Sequence, residues 1–243
     1  IGSGDGGLVD SGVNNNTIHI GSSEYGGGGY YVFITNSTSG SQLGAVYVRI
    51  DDEYINWGND GGANALAIQE ARYAGWVHWA VVRTGTATFK LYINGSQIGD
   101  EKTMSGTPGD LVIDRFGAGG VLHADGSFQN TMKGYLSEVA IFDDALTTAE
   151  IETLYGNGNP TMVEAHDHLI NWWRFNNESA DHETTSANNC TLAHSPTYVE
   201  NTPGKSSMDD VFDGGGSISV WFYCVPFTYS GSNIGTGESN SGC

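Results

Sequence analysis

Basic residues are scarce in this 243-residue sequence: nine Lys+Arg stand against 28 Asp+Glu, for a formal net charge of −19. Such a chain repels polyanions and gives backbone phosphates few cationic partners, so nucleic acid is not an expected partner. Long apolar runs are missing as well. None approaches the roughly 20 residues needed to span a bilayer, and the opening IGSGDGG has neither a basic nor an apolar leader region, so no membrane span is expected. Cysteine is limited to Cys190, Cys224 and Cys243. Their odd number and the lack of Cys-x-x-Cys spacing argue against a zinc site and a closed disulfide framework, leaving one disulfide open. The first residue is Ile1 rather than Met, which suits a piece of something longer.

What the sequence does contain is 36 glycines among many Ser, Thr and Asn, with 38% hydrophobic and 11% aromatic residues. That mixture suits short strands joined by tight turns around a real core, and a low-lysine acidic surface suits an extracellular setting. Five Asn-x-Ser/Thr sequons, at Asn15, Asn36, Asn94, Asn177 and Asn189, are no more than an Asn- and Thr-rich chain makes by chance.

Residues 76–83, WVHWAVVR, carry apolar side chains on both parities, the signature of a strand buried between layers. Phe89, Leu91 and Ile93 then alternate with Lys90 and Tyr92 up to Asn94-Gly95, which accepts the two positive φ angles of a type I′ hairpin turn. Further strands are predicted at 17–20, 30–35, 45–50, 53–57, 111–116 and 134–142, and one short helix after Thr147. Thr147 with Glu150 forms a capping box, Ile151, Leu154 and Tyr155 supply the apolar face, and Gly156 closes the helix. Beyond a Pro- and Asn-bearing joint near residue 160, strands are predicted at 169–175, 190–193 and within 211–227. Ile234-Gly235-Thr236-Gly237-Glu238 repeats Ile1-Gly2-Ser3-Gly4-Asp5 with conservative changes, a hint of modular recurrence.

Three segments resemble laminin G-like, concanavalin A-like jelly rolls of the kind found in phage and bacterial surface proteins. Trp76 to Val82 running into Leu91-Tyr92-Ile93-Asn94-Gly95 is similar to the family's central strand pair. Gly134 to Phe142 with Ala145-Leu146 and the helix to Tyr155 is similar to its closing strand and signature helix. Asn171-Trp172-Trp173-Arg174-Phe175, Phe212-Asp213-Gly214 and residues 217–222 look like its opening strands. The resemblance implies an all-β antiparallel jelly-roll β-sandwich with one short helix. It also implies an unusual order: residues 1–160 form a laminin G-like jelly roll lacking its opening strands. Residues 161–243 are then the opening strands of a second module, or strands that close the first in cis or in trans. The expected role is a non-enzymatic extracellular or virion-surface module for fibre, decoration or adhesion, with self-association or tandem copies, assembly through a shared strand and a cell-surface glycan as partner. The alternative is a secreted glycoside-active enzyme of the same superfamily.

Glucanases of this fold place two carboxylates about 5 to 5.5 Å apart on one strand face. The nearest approach here is Glu138 with Asp143 and Asp144, which read better as rim charges, so no catalytic residue is assigned. Relatives that bind sugars use an exposed aromatic beside loop Asn and Asp, which points to Trp57, Asn59, Asp60 and Tyr30 as ligand-binding candidates. Relatives that hold calcium do so on a loop rim, which points to Asp114, Asp125, Asp143 and Asp144, although Ser137 stands where a further ligand would be. The cofactor expectation is therefore none, or one Ca2+. His166-Asp167-His168 reads as a solvated loop, and His78, between two tryptophans, as a hydrogen-bonded core histidine.

Overall fold

In the computed structural model the described residues are 16–23, 29–36, 45–50, 53–58, 62–72, 76–110, 115–116, 134–158, 167–173, 190–193, 198–201, 215–224, 227–228 and 241–242. In chain order they form β1 (Asn16–Ser23), β2 (Gly29–Asn36), β3 (Ala45–Ile50), β4 (Glu53–Trp57), α1 (Ala63–Arg72), β5 (Trp76–Arg83), β6 (Thr88–Ile93), β7 (Ser96–Gln97), β8 (Lys102–Thr103) and β9 (Arg115–Phe116). There follow β10 (Gly134–Phe142), α2 (Thr148–Tyr155), β11 (Leu169–Trp173), β12 (Cys190–Ala193), β13 (Tyr198–Asn201), β14 (Gly216–Cys224), β15 (Phe227–Thr228) and β16 (Ser241–Gly242).

Two antiparallel sheets make the body. The five-stranded sheet runs β4-β3-β2-β1-β9, and the seven-stranded sheet runs β11-β10-β14-β5-β6-β7 with β8 beside β6. β12–β13 and β15–β16 pair separately. The inner faces meet in one core, where Val46, Val48, Ile50, Ile55 and Trp57 of the first sheet pack with Val77, Trp79, Val81, Leu91, Ile93, Val139, Ile141, Trp173, Ile218 and Val220 of the second. Fully burying each such side chain stabilises the fold by about 1.5–3 kcal/mol, so this layer dominates the stability. The result is the all-β jelly-roll sandwich expected from the sequence.

β5 behaves as a central strand: after the exposed Trp76 every residue to Arg83 is buried. At the end of β6 the chain turns on Asn94 (φ 49) and Gly95 (φ 79), the two positive φ values of the predicted hairpin. Asn94 also ties the turn to β5, since its Oδ1 accepts from His78 N at 3.0 Å and its own N donates to the His78 carbonyl at 2.9 Å. A Cβ on Gly95 would lie 3.1 Å from the Tyr155 ring, so both backbone and neighbour require glycine there.

α2 forms as predicted, with both arms of the Thr147/Glu150 capping box and a left-handed Gly156. It lies against the outer face of the seven-stranded sheet, where Ile151, Leu154 and Leu146 pack with Ala80, Val82, Tyr92, Ala140, Phe142, Leu169 and Trp172. A second helix, α1, was not expected. Its sequence, ANALAIQEAR, is nearly all good helix formers, and Ala65 and Ile68, three residues apart, are buried.

Two further features were hidden from local pattern. Arg83, 2% exposed, is surrounded by carbonyls: its guanidinium donates to Gly85, Thr86, Pro108 and Gly109 oxygens and its Cζ lies 5.7 Å from the Phe89 ring centre. In β10 the pairing with β14 slips between Ser137 and Ala140, and Glu138 has φ 52. Glu138 is the extra residue of a β-bulge, in a conformation that usually selects glycine.

Candidate functional site

The outer face of the five-stranded sheet follows from strand alternation. In β3 the core takes Val46, Val48 and Ile50, leaving Tyr47 and Arg49 on the other side; in β4 it takes Ile55 and Trp57, leaving Tyr54 and Asn56. Register then sets these four side by side, with Tyr47 opposite Asn56 and Arg49 opposite Tyr54. Tyr54 is 60% exposed, and its ring lies 6.5 Å from that of Tyr47 at an interplanar angle of 37°. Pairing continues the same parity across the sheet: Phe33 and His19 follow Tyr47, while Tyr31, Gly21 and Arg115 follow Arg49. Chemically, the described part is an accessible aromatic surface flanked by a guanidinium and a carboxamide, which can stack on an apolar ring face and hydrogen-bond its hydroxyls.

Of the sequence-predicted ligand residues, Trp57 and Tyr30 are described, and neither belongs to this group of four. Trp57 has no exposed surface; it is a core residue whose Nε1 donates to the Asp100 carbonyl at 3.0 Å, so its ring cannot serve as a platform. Tyr30 lies in β2 opposite Ser22, on the parity of Val32 and Ile34 rather than that of Tyr31. Asn59 and Asp60 lie outside the described residues. Strand parity was the signal that could have found Tyr47 and Tyr54: the β3 and β4 patterns alternate cleanly once Val46 and Ile55 are set inward.

Of the predicted metal residues, Asp114 and Asp125 lie outside the described residues, as does His166. Asp143 and Asp144 are exposed and face one imidazole: His168 Nδ1 is 3.2 Å from Asp143 Oδ1 and His168 Nε2 is 3.6 Å from Asp144 Oδ2. Asp143 N also donates to the His168 carbonyl, and Asp144 Oδ1 accepts from Ala145 N at 2.7 Å. Both carboxylates are thus drawn to a ring nitrogen, and no group of three or more His, Cys, Asp or Glu side chains among the described residues is arranged to hold a metal ion.

Glu138 is not a rim charge. The bulge turns its half-buried carboxylate onto Trp172, whose Nε1 donates to Oε2 at 2.6 Å. His78 is the core histidine that its flanking tryptophans suggested. Nε2 is 2.8 Å from Ser219 Oγ, Nδ1 has no partner, and the ring lies 6.2 Å from that of Tyr155 and 5.3 Å from that of Trp221. Burial penalises the imidazolium and lowers its pKa to about 3, so the ring is neutral at ordinary pH and cannot serve there as a titrating base.

The described residues form an antiparallel jelly-roll sandwich with an exposed aromatic, Tyr54, on the outer side of one sheet. The chain belongs to the concanavalin A-like lectin/glucanases superfamily: the laminin G-type family model of that description matches residues 11–152. That superfamily is compatible with carbohydrate binding. None of the curated proteins and none of the solved structures compared matches the chain.

Proposed function

We propose that the protein is a non-enzymatic, extracellular or virion-surface module that binds a glycan on the open face of its five-stranded sheet and acts in repeated copies as a fibre, decoration or adhesion element. The observation that carries this reading is Tyr54, a large exposed aromatic set beside Tyr47, Arg49 and Asn56. Ordered sheets hold such side chains in place, so little entropy is lost when a sugar ring stacks on them. Single sites of this kind bind weakly, and copies joined in one array raise the effective concentration. Assembly through a shared strand would supply those copies. The non-enzymatic part is supported by the four described side chains of the face, none of which is a carboxylate, and by Glu138, whose carboxylate is engaged by Trp172. A polyanionic nucleic acid is a poor partner for a chain of net charge −19.

The test is a glycan array followed by titration of the best ligand. Tyr54→Ala should weaken binding by about tenfold or more, as loss of an aromatic anchor does. Unchanged affinity in that variant would overturn the placement of the site. Release of reducing ends from β-glucans that is abolished in Glu138→Gln would overturn the non-enzymatic reading.

A further inference from the structure

The seven-stranded sheet is built around a strand from far along the chain. β14 lies between β5 and β10, pairing from Gly216 opposite Arg83 to Tyr223 opposite Trp76 on one side and from Ser217 opposite Phe142 to Cys224 opposite Gly134 on the other. Its residues from Gly216 to Trp221 are all buried; Ile218 and Val220 complete the inter-sheet core, and Ser219 is the partner of His78. Further anchors come from its N-terminal end, where Ser217 Oγ accepts from Leu146 N at 2.9 Å and donates to the Asp144 carbonyl at 2.9 Å. Without β14, both β5 and β10 would present unpaired backbone rows and the core would be split.

Both walls of this slot lie within residues 11–152, the part matched by the family model, and the strand that fills it does not. β11 is already paired with β10, so the connection that must close to fill the slot from the same chain is the roughly 40 residues between Trp173 and Gly216, and its entropic cost grows with length. A second copy carries an identical β14 and would make identical contacts in the slot. Cis and trans filling therefore differ only in the loop cost on one side and the concentration of copies on the other.

We propose that β14 is an exchangeable strand, and that the partner of this protein in assembly is a second copy of the same chain that receives β14 in the slot between β5 and β10. This names the partner for the assembly half of the function proposed above and rests on that half alone; the glycan half can fail without touching it. Because the slot is central and buried, exchange occurs while the chain folds and is locked in afterwards. The swapped fraction is thus set by copy number during folding, which is high where many copies are made and packed together.

The experiment uses the full chain with its three native cysteines replaced by serine. Ala80 and Ser219 are directly opposed across β5 and β14, and cross-strand neighbours fall within disulfide-forming Cα separation. Chains bearing Ala80→Cys and chains bearing Ser219→Cys are unfolded, mixed, refolded and oxidised. A covalent heterodimer is expected, its yield rising as refolding concentration increases from about micromolar toward about millimolar, the effective concentration that a short flexible linkage supplies. In parallel, the unsubstituted chain is refolded over the same range and sized by light scattering, which keeps the test decisive if the cysteine variants do not fold. Dimers or larger closed species growing with concentration are expected; a monomer at every concentration with no covalent heterodimer overturns the proposal.

Discussion

The two sheets of this sandwich present opposite outer faces. On the seven-stranded sheet the outer face is apolar and covered: Ala80, Val82, Tyr92, Ala140, Phe142 and Trp172 lie beneath Leu146, Ile151 and Leu154, and Tyr92 Oη reaches the Thr148 hydroxyl at 3.1 Å. On the five-stranded sheet, Tyr47, Arg49, Tyr54 and Asn56 are half-buried or exposed and mix aromatic with polar character. Both faces obey the same alternation along their strands, so pleat geometry does not distinguish them. The difference is a helix. α2 follows β10 closely enough to fold back over its own sheet, and its capping box fixes where it starts. A face so covered contributes to stability, whereas on the other face the described side chains, Tyr54 above all, remain accessible to solvent.

That contrast can be broken most severely at Trp172. Its replacement by Ala removes a buried tryptophan from the covered face and leaves Glu138 without its indole donor, and should cost about 3–5 kcal/mol of unfolding free energy in urea titration. Affinity of the remaining folded protein for a glycan should not change; a parallel loss of affinity would show that the two faces are not separable.

The next effect is a pH dependence confined to the covered side. His78 has a folded pKa of about 3 against 6.5 unfolded, so below 6.5 the unfolded chain takes up a proton that the folded chain refuses. The stability from burying the neutral ring is complete above pH 6.5, falls as pH drops, and is gone below about 3, with a ceiling of about 5 kcal/mol. Urea midpoints measured across that window should fall less steeply in His78→Gln. Equal slopes in both proteins would remove His78 as the cause. The smallest change is expected at Tyr54, where replacement by Ala should alter unfolding free energy by no more than about 0.5 kcal/mol while lowering glycan affinity. A large destabilisation would mean that the open face is structural after all.

Much of the covered side was legible in the sequence because its signals are local. The Asn94-Gly95 turn, the Thr147/Glu150 box and the doubly apolar β5 each lie within a few residues of chain. Tryptophans were harder to place. Trp57 reads equally well as platform or core until β4 is given a parity, and Trp172 and Trp173 point to opposite faces yet are both buried, because this sheet is covered on both sides. Glu138 departs from the rim position its sequence suggests for a different reason. A single inserted residue in β10 shifts the register of the strand by one, and nothing in GYLSEVAIF marks the bulge. α1 leaves little trace in the sequence because its apolar pattern is weak and its helical preference comes from residue type alone. The slot for β14 lies beyond local reading altogether, since strand pairing over such a separation is chosen by the assembled sheet.

Arg83 bears on how copies of this chain meet. One of only nine cationic side chains in a sequence with 28 acids is enclosed by peptide carbonyls and lost to the exterior. Two such molecules brought together in dilute buffer therefore meet as like-charged bodies with hardly any positive sites to trade. Close packing must then come from mobile counter-ions, or from contacts indifferent to charge, such as peptide groups and hydrocarbon.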